Sequence, residues 1–145
     1  MTLLQNPYFV VPLIAWGIAQ ASKVIIDSVL LHRLSVRRLA TAGGMPSSHS
    51  ALVVSLTTII GRLEGVQSPL FAISLIFSTV VMYDATGVRR AAGQQAMILN
   101  RLIDDLFIAH QGLRQERLRE LLGHTPIEVI AGAVLGIIVG LGIWR

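Results

Sequence analysis

The run Pro7-Tyr8-Phe9-Val10-Val11-Pro12-Leu13-Ile14-Ala15-Trp16-Gly17-Ile18 continues in apolar style to Leu31 and meets its first charge only at Lys23. It is long enough to cross a hydrocarbon core of ~30 Å even when tilted. Gln20, Ser22, Lys23 and Asp27 all lie toward its C-terminal end. Three further apolar segments follow, roughly 47–64, 69–88 and 126–144. Ser68-Pro69 and Thr125-Pro126 open two of them as an N-cap followed by proline at the first helical position. The middle two have apolar cores of about fifteen residues, only ~22 Å of helix. They need extension to Glu64 and Val88, a thinned bilayer, or shielding by neighbouring helices.

Composition supports the same class. The chain has 145 residues, 53% hydrophobic and 14% charged, against about 25% charged for soluble domains, and its mean hydropathy is +0.68. A soluble domain of this size cannot bury that much apolar surface. The reading is therefore all-α: one integral membrane helical bundle over 1–145, with about four transmembrane helices. Cysteine is absent, which excludes disulfides and thiolate metal sites. Ala19-Gln20-Ala21 has the form of a signal-peptidase site, but residues 1–7 carry no Lys or Arg. The first segment is therefore expected to be retained.

The net charge of +4 reports topology. Arg33, Arg37 and Arg38 follow the first segment, and Arg89, Arg90, Arg101, Arg114, Arg117 and Arg119 lie between the third and fourth. Arg62 and Arg145 are alone on the opposite side. No aromatic residues interleave with the arginines as a nucleic-acid surface would need. By the positive-inside rule both arginine-rich loops are cytoplasmic and both termini lie outside, in a bacterial-type inner membrane or a thylakoid. Residues 94–122 place Leu99, Leu102, Ile103, Leu106, Phe107, Leu113 and Leu118 at helical spacing among charges. That pattern predicts cytoplasmic amphipathic helices with a break near Gly112, either lying on the inner leaflet or contacting a second subunit.

Every group suited to chemistry falls on that cytoplasmic face. In Gly43-Gly44-Met45-Pro46-Ser47-Ser48-His49-Ser50, Ser47 suits an N-cap and His49 the first helical turn. Glycines there let backbone approach a ligand, and free N–H groups at a helix start suit an anion. The same string is also ordinary turn chemistry. In Gly123-His124-Thr125-Pro126-Ile127-Glu128, Glu128 stands one turn from His124 and can orient its ring. Thr125 and Glu128 equally form a capping box. Two imidazoles are what phosphoryl transfer without a metal requires, one as nucleophile and one as general acid. Tyr83-Asp84-Ala85-Thr86-Gly87-Val88-Arg89-Arg90 offers guanidinium groups that bind either a phosphoryl group or lipid headgroups, with Asp84 placed to hold one of them. Lys23 is costly in an apolar span unless it snorkels or meets an anion.

These strings together resemble the divergent branch of the type 2 phosphatidic acid phosphatase superfamily, related to acid phosphatases and vanadium-dependent haloperoxidases. Pro46-Ser47-Ser48-His49 is similar to its second signature and His124-x-x-x-Glu128 to the end of its third; the likeness runs from Lys23 to Gly132. The resemblance implies His124 as nucleophile, His49 as general acid and base, Glu128 as orienter, and Lys23, Ser47 and Ser48 as phosphate contacts. Leu30-Leu31 stands where the family's first signature has Arg-Pro, and Arg117-Leu118 where the third has Ser-Arg. Arg89 or Arg90 is therefore inferred to replace the missing arginines, with Asp84 and Gly44 in support.

The expected activity is a metal-independent, cofactor-free lipid phosphate phosphatase. Its expected substrate is phosphatidate- or phosphatidylglycerophosphate-like. The alternative is a non-catalytic membrane protein that binds anionic lipid or phosphate. A homodimer is also expected. Lys23 and Asp27 need cover from lipid, and the stripe Gly132, Gly136, Gly140 suits close packing either within the chain or with a second copy.

Overall fold

The computed structural model describes residues 2–31, 44–107, 118 and 123–143. Among the described residues a short 3-10 turn at Leu3–Gln5 is followed by five α-helices: α1 Pro7–Leu31, α2 Ser48–Leu63, α3 Pro69–Thr86, α4 Val88–Phe107 and α5 Pro126–Gly142. No strand occurs among the described residues. The starts are set by local chemistry. Ser47, Ser68 and Thr125 cap α2, α3 and α5 through their hydroxyls, and Pro69 and Pro126 follow two of those caps. Proline loses nothing there, because the first N–H groups of a helix have no internal partner.

The central helix is α2, which packs against α5, α1 and α3. Buried positions recur along it at Ser48, Ser50, Ala51, Val53, Ser55, Thr57 and Ile59. The apolar core consists of Val11, Ala15 and Ala19 of α1, Ala51 and Ile59 of α2, and Val139 of α5. These are mostly small residues, the composition that lets helices approach closely where lipid removes the usual hydrophobic drive. The glycine stripe of α5 is used here, within the chain. A Cβ added at Gly132 would stand 2.2 Å from Ser47 O, one at Gly136 2.7 Å from Ala51 O, and one at Gly140 2.6 Å from Thr58 Cβ. Hydroxyls join α2 to α3: Ser78 Oγ donates to Val53 O at 2.9 Å, and Thr57 Oγ1 donates to Ser74 O at 3.0 Å.

Two described stretches are long and apolar enough to cross a membrane, Pro7–Ile26 and the α3–α4 run Pro69–Asp104; Pro126–Gly142 is a shorter apolar helix. With 16 residues, α2 rises only ~24 Å, and three other helices cover it. Outward faces elsewhere are apolar, with Ile73, Ile76, Phe77 and Val80 exposed on α3 and Ile130, Val134 and Ile138 on α5. A contiguous surface of this kind is suited to lipid.

The third helix ends at Thr86, before Val88, and α4 starts at once, several residues before the amphipathic segment expected from 94. Gly87 makes the break, its N–H donating to Tyr83 O at 2.8 Å with ψ −90°. Arg89 and Arg90 thereby fall in the first turn of α4. The last helix closes at Gly142. Arg33, Arg37, Arg38, Gly43, Gly112, Arg114, Arg117, Arg119, Trp144 and Arg145 lie outside the described residues, as does the side chain of Asp27.

One end of the bundle is tied by the Tyr8 hydroxyl, which donates to the Glu64 carboxylate, and by Arg62 Nη1, which donates to Leu141 O at 2.7 Å. The C-terminal half of α1, the starts of α2 and α5, and the α3–α4 junction meet at the other end.

Candidate active site

At that second end, the turn before α2 begins with Gly44, whose φ of +97° is natural only to glycine. A Cβ there would lie 3.9 Å from Lys23 Cδ. Lys23 is 5% exposed, and its ammonium donates to Ser48 Oγ at 3.3 Å. Ser47 is fully buried and occupied by structure: its N–H donates to Glu128 O at 2.9 Å, and its hydroxyl oxygen accepts from Ser50 N at 3.4 Å and Ser50 Oγ at 3.0 Å. The start of α2 is thus fastened to the start of α5. His49, in the first turn of α2, lines a pocket with Val81, Asp84, Ala85, Arg89, Gly123 and His124.

His124 is 4% exposed, and its backbone N–H donates to Ala85 O at 2.9 Å. Its Nδ1 lies 3.1 Å from Glu128 Oε2. The same carboxylate oxygen accepts from Thr125 N at 3.0 Å, while Glu128 N donates to Thr125 Oγ1 at 3.4 Å. Capping and orienting, the two readings of Glu128, are therefore met by one oxygen. A carboxylate accepts, so Nδ1 carries the proton and Nε2 the lone pair. That Nε2 atom is buried with no hydrogen-bond partner among the described residues. Burial holds the imidazole below the ordinary histidine range. The Glu128 hydrogen bond opposes that shift, and the charges of Lys23 and Arg89 reinforce it.

Arg89 Nε donates to Asp84 Oδ2 at 2.5 Å, which orients the guanidinium along one edge. Both candidate arginines are exposed, but Arg89 lines the pocket and Arg90 does not. The backbone of Arg90 has a different part. Gly123 takes φ +85°, and a Cβ on it would stand 2.5 Å from Arg90 N. Gly123 and the Ala85 carbonyl, which together dock His124, were not singled out from sequence. The Gly-His dipeptide was visible, but what it packs against is not encoded locally. Among the described residues, no cluster of three or more His, Asp or Glu side chains is placed to hold a metal ion.

The fold and site thus define an all-α bundle with apolar outer faces and a histidine pair among cations at one end. The family model described as the Divergent PAP2 family matches residues 4–139, and the chain belongs to that family. It is also 42% identical over 151 residues to the uncharacterized membrane protein YuiD of Bacillus subtilis (strain 168), covering 97% of this chain and 96% of that protein. No solved structure matches it.

Proposed function

We propose that the protein is a phosphomonoesterase acting on a membrane lipid phosphate, phosphatidate- or phosphatidylglycerophosphate-like, through a phosphohistidine on His124. The observation that carries this reading is the Nε2 of His124, buried and without a hydrogen-bond partner among the described residues, in a ring fixed through Nδ1 by Glu128 and sharing a pocket with His49 and Arg89. A neutral imidazole with a free lone pair is an available nucleophile.

In the proposed reaction Nε2 attacks phosphorus, the P–O ester bond breaks, and the departing lipid oxygen takes a proton from His49. Water then gives a proton to His49 and attacks phosphorus, the N–P bond breaks, and inorganic phosphate leaves. Arg89, held at Nε by Asp84, keeps its two Nη groups for phosphoryl oxygens. Lys23 adds positive charge beside Ser48. No step requires a metal ion. Arginine placement favours a cytoplasmic position for this end of the bundle, which makes inner-leaflet lipids the proposed substrates.

The test is phosphate release from a panel of lipid phosphates by detergent-purified protein. Release is expected to persist in EDTA and to fall by roughly 10³-fold or more in His124→Ala. Loss of activity with EDTA, or an unchanged His124→Ala variant, would overturn the mechanism. Phosphate, vanadate or lipid bound without turnover across a broad panel would instead make this a binding protein.

A further inference from the structure

The amphipathic helix α4 turns an unexpected side to its own chain. Its buried positions are Gly93, Ala96 and Asn100. Asn100 accounts for part of that burial: Nδ2 donates to Leu118 O at 2.9 Å, and Oδ1 accepts from Leu118 N at 3.1 Å. The apolar stripe, with Gln95 set within it, lies roughly a third of a turn away at 3.6 residues per turn and is exposed. Val88 is 65% exposed, Ile98 59%, Leu99 48% and Leu102 51%. Among the described helices α4 touches only α3.

Two observations bear on what would cover the stripe. First, it continues a surface already suited to lipid. The exposed side chains Ile76, Phe77 and Val80 of α3 lead past Tyr83 to Val88, with only the Gly87 break between. Second, α4 has the charge for an anionic surface. From Val88 to Ile103 it carries Arg89, Arg90 and Arg101 and no acidic residue; its two aspartates come afterwards, at 104 and 105. Arginines beside an apolar stripe are the composition of a helix lying in the headgroup plane.

We propose that α4 lies along the membrane surface, with Val88, Ile98, Leu99 and Leu102 seated on acyl chains and Arg90 and Arg101 among anionic headgroups. Arg89 and the backbone under Gly123 belong to the first turn of the same helix, so this placement holds the pocket at the depth of lipid phosphates.

The natural chain has no cysteine, so single-cysteine variants can be spin-labelled in the full-length protein. Labels at Ile98→Cys and Leu102→Cys are compared with Gln94→Cys and Arg101→Cys, and with Ile76→Cys on α3 as a lipid-facing standard. All are reconstituted in vesicles of phosphatidylglycerol and phosphatidylcholine. Positions 98 and 102 are expected to collide with oxygen several-fold more than with a water-soluble nickel chelate, as position 76 does, and positions 94 and 101 to show the reverse. Equal access of the chelate to all four α4 positions would overturn the proposal. So would shielding of 98 and 102 from both reagents with disulfide formation between copies, which would assign the stripe to a second protomer. The measurement reads no turnover, so it stands or fails separately from the phosphatase reading.

Discussion

Glu128 Oε2 receives the Thr125 N–H and faces the His124 ring, so the cap that starts α5 also sets the tautomer of the proposed nucleophile. This coupling gives a signed pH prediction. His124 must be neutral to attack, and burial, together with the charges of Lys23 and Arg89, lowers its pKa more than Glu128 raises it. Activity expressed as kcat/KM is therefore expected to fall on the acid side through a pKa below the ordinary histidine value of ~6.5. Glu128→Gln removes the carboxylate charge that favours the protonated ring, so the acid limb should move to still lower pH. The rate at the plateau should fall as well, because an amide no longer dictates which nitrogen holds the proton. A kcat/KM profile with its acid limb above pH 6.5, or one unmoved in Glu128→Gln, would remove His124 from the assigned role.

The α2–α5 pair behaves as one unit because its contact surface is backbone against backbone. Gly136 would place a Cβ 2.7 Å from Ala51 O and 2.9 Å from Ser55 N, neither of which can move without displacing α2. Gly136→Leu is accordingly expected to destabilise the fold by at least the ~1–3 kcal/mol typical of overpacking. It should do so in the single chain, since the stripe faces α2. Gly17 in α1 is the contrasting case, with nothing within 4 Å of an added Cβ. Gly17→Ala should be neutral or stabilising by roughly 0.5–1 kcal/mol, through reduced freedom of the unfolded chain. Thermal unfolding in mild detergent measures both; equal effects of the two substitutions would contradict the assigned seam.

Up-and-down chain direction gives the molecule two chemically different ends. The Tyr8–Glu64 and Arg62–Leu141 contacts close one, and Lys23, His49, Arg89 and His124 gather at the other. If arginine placement sets the orientation, Gln67, exposed in the α2–α3 turn, faces outward. A membrane-impermeant thiol reagent applied to intact cells is then expected to label Gln67→Cys and to leave Gln94→Cys unlabelled until the membrane is opened. The opposite pattern would turn the proposed site to the outer leaflet and change its accessible lipids.

The sequence alone determined the helical class, the caps at Ser47, Ser68 and Thr125, and the strings carrying both histidines. Each of these depends on residues a few positions apart or on the length of an apolar run. Boundaries were less legible. Local periodicity does not show that Gly87 ends α3 one residue before α4 begins, because both sides of that break are compatible with helix. Tertiary structure alone decided three matters. Arg89 lines the pocket and Arg90 does not. Gly123 lies against the Arg90 backbone. The glycines of α5 meet α2. Each depends on how a helix is rotated about its axis and how closely two backbones approach, and many rotations share one hydrophobic pattern. Packing selects among them only when the whole bundle is assembled.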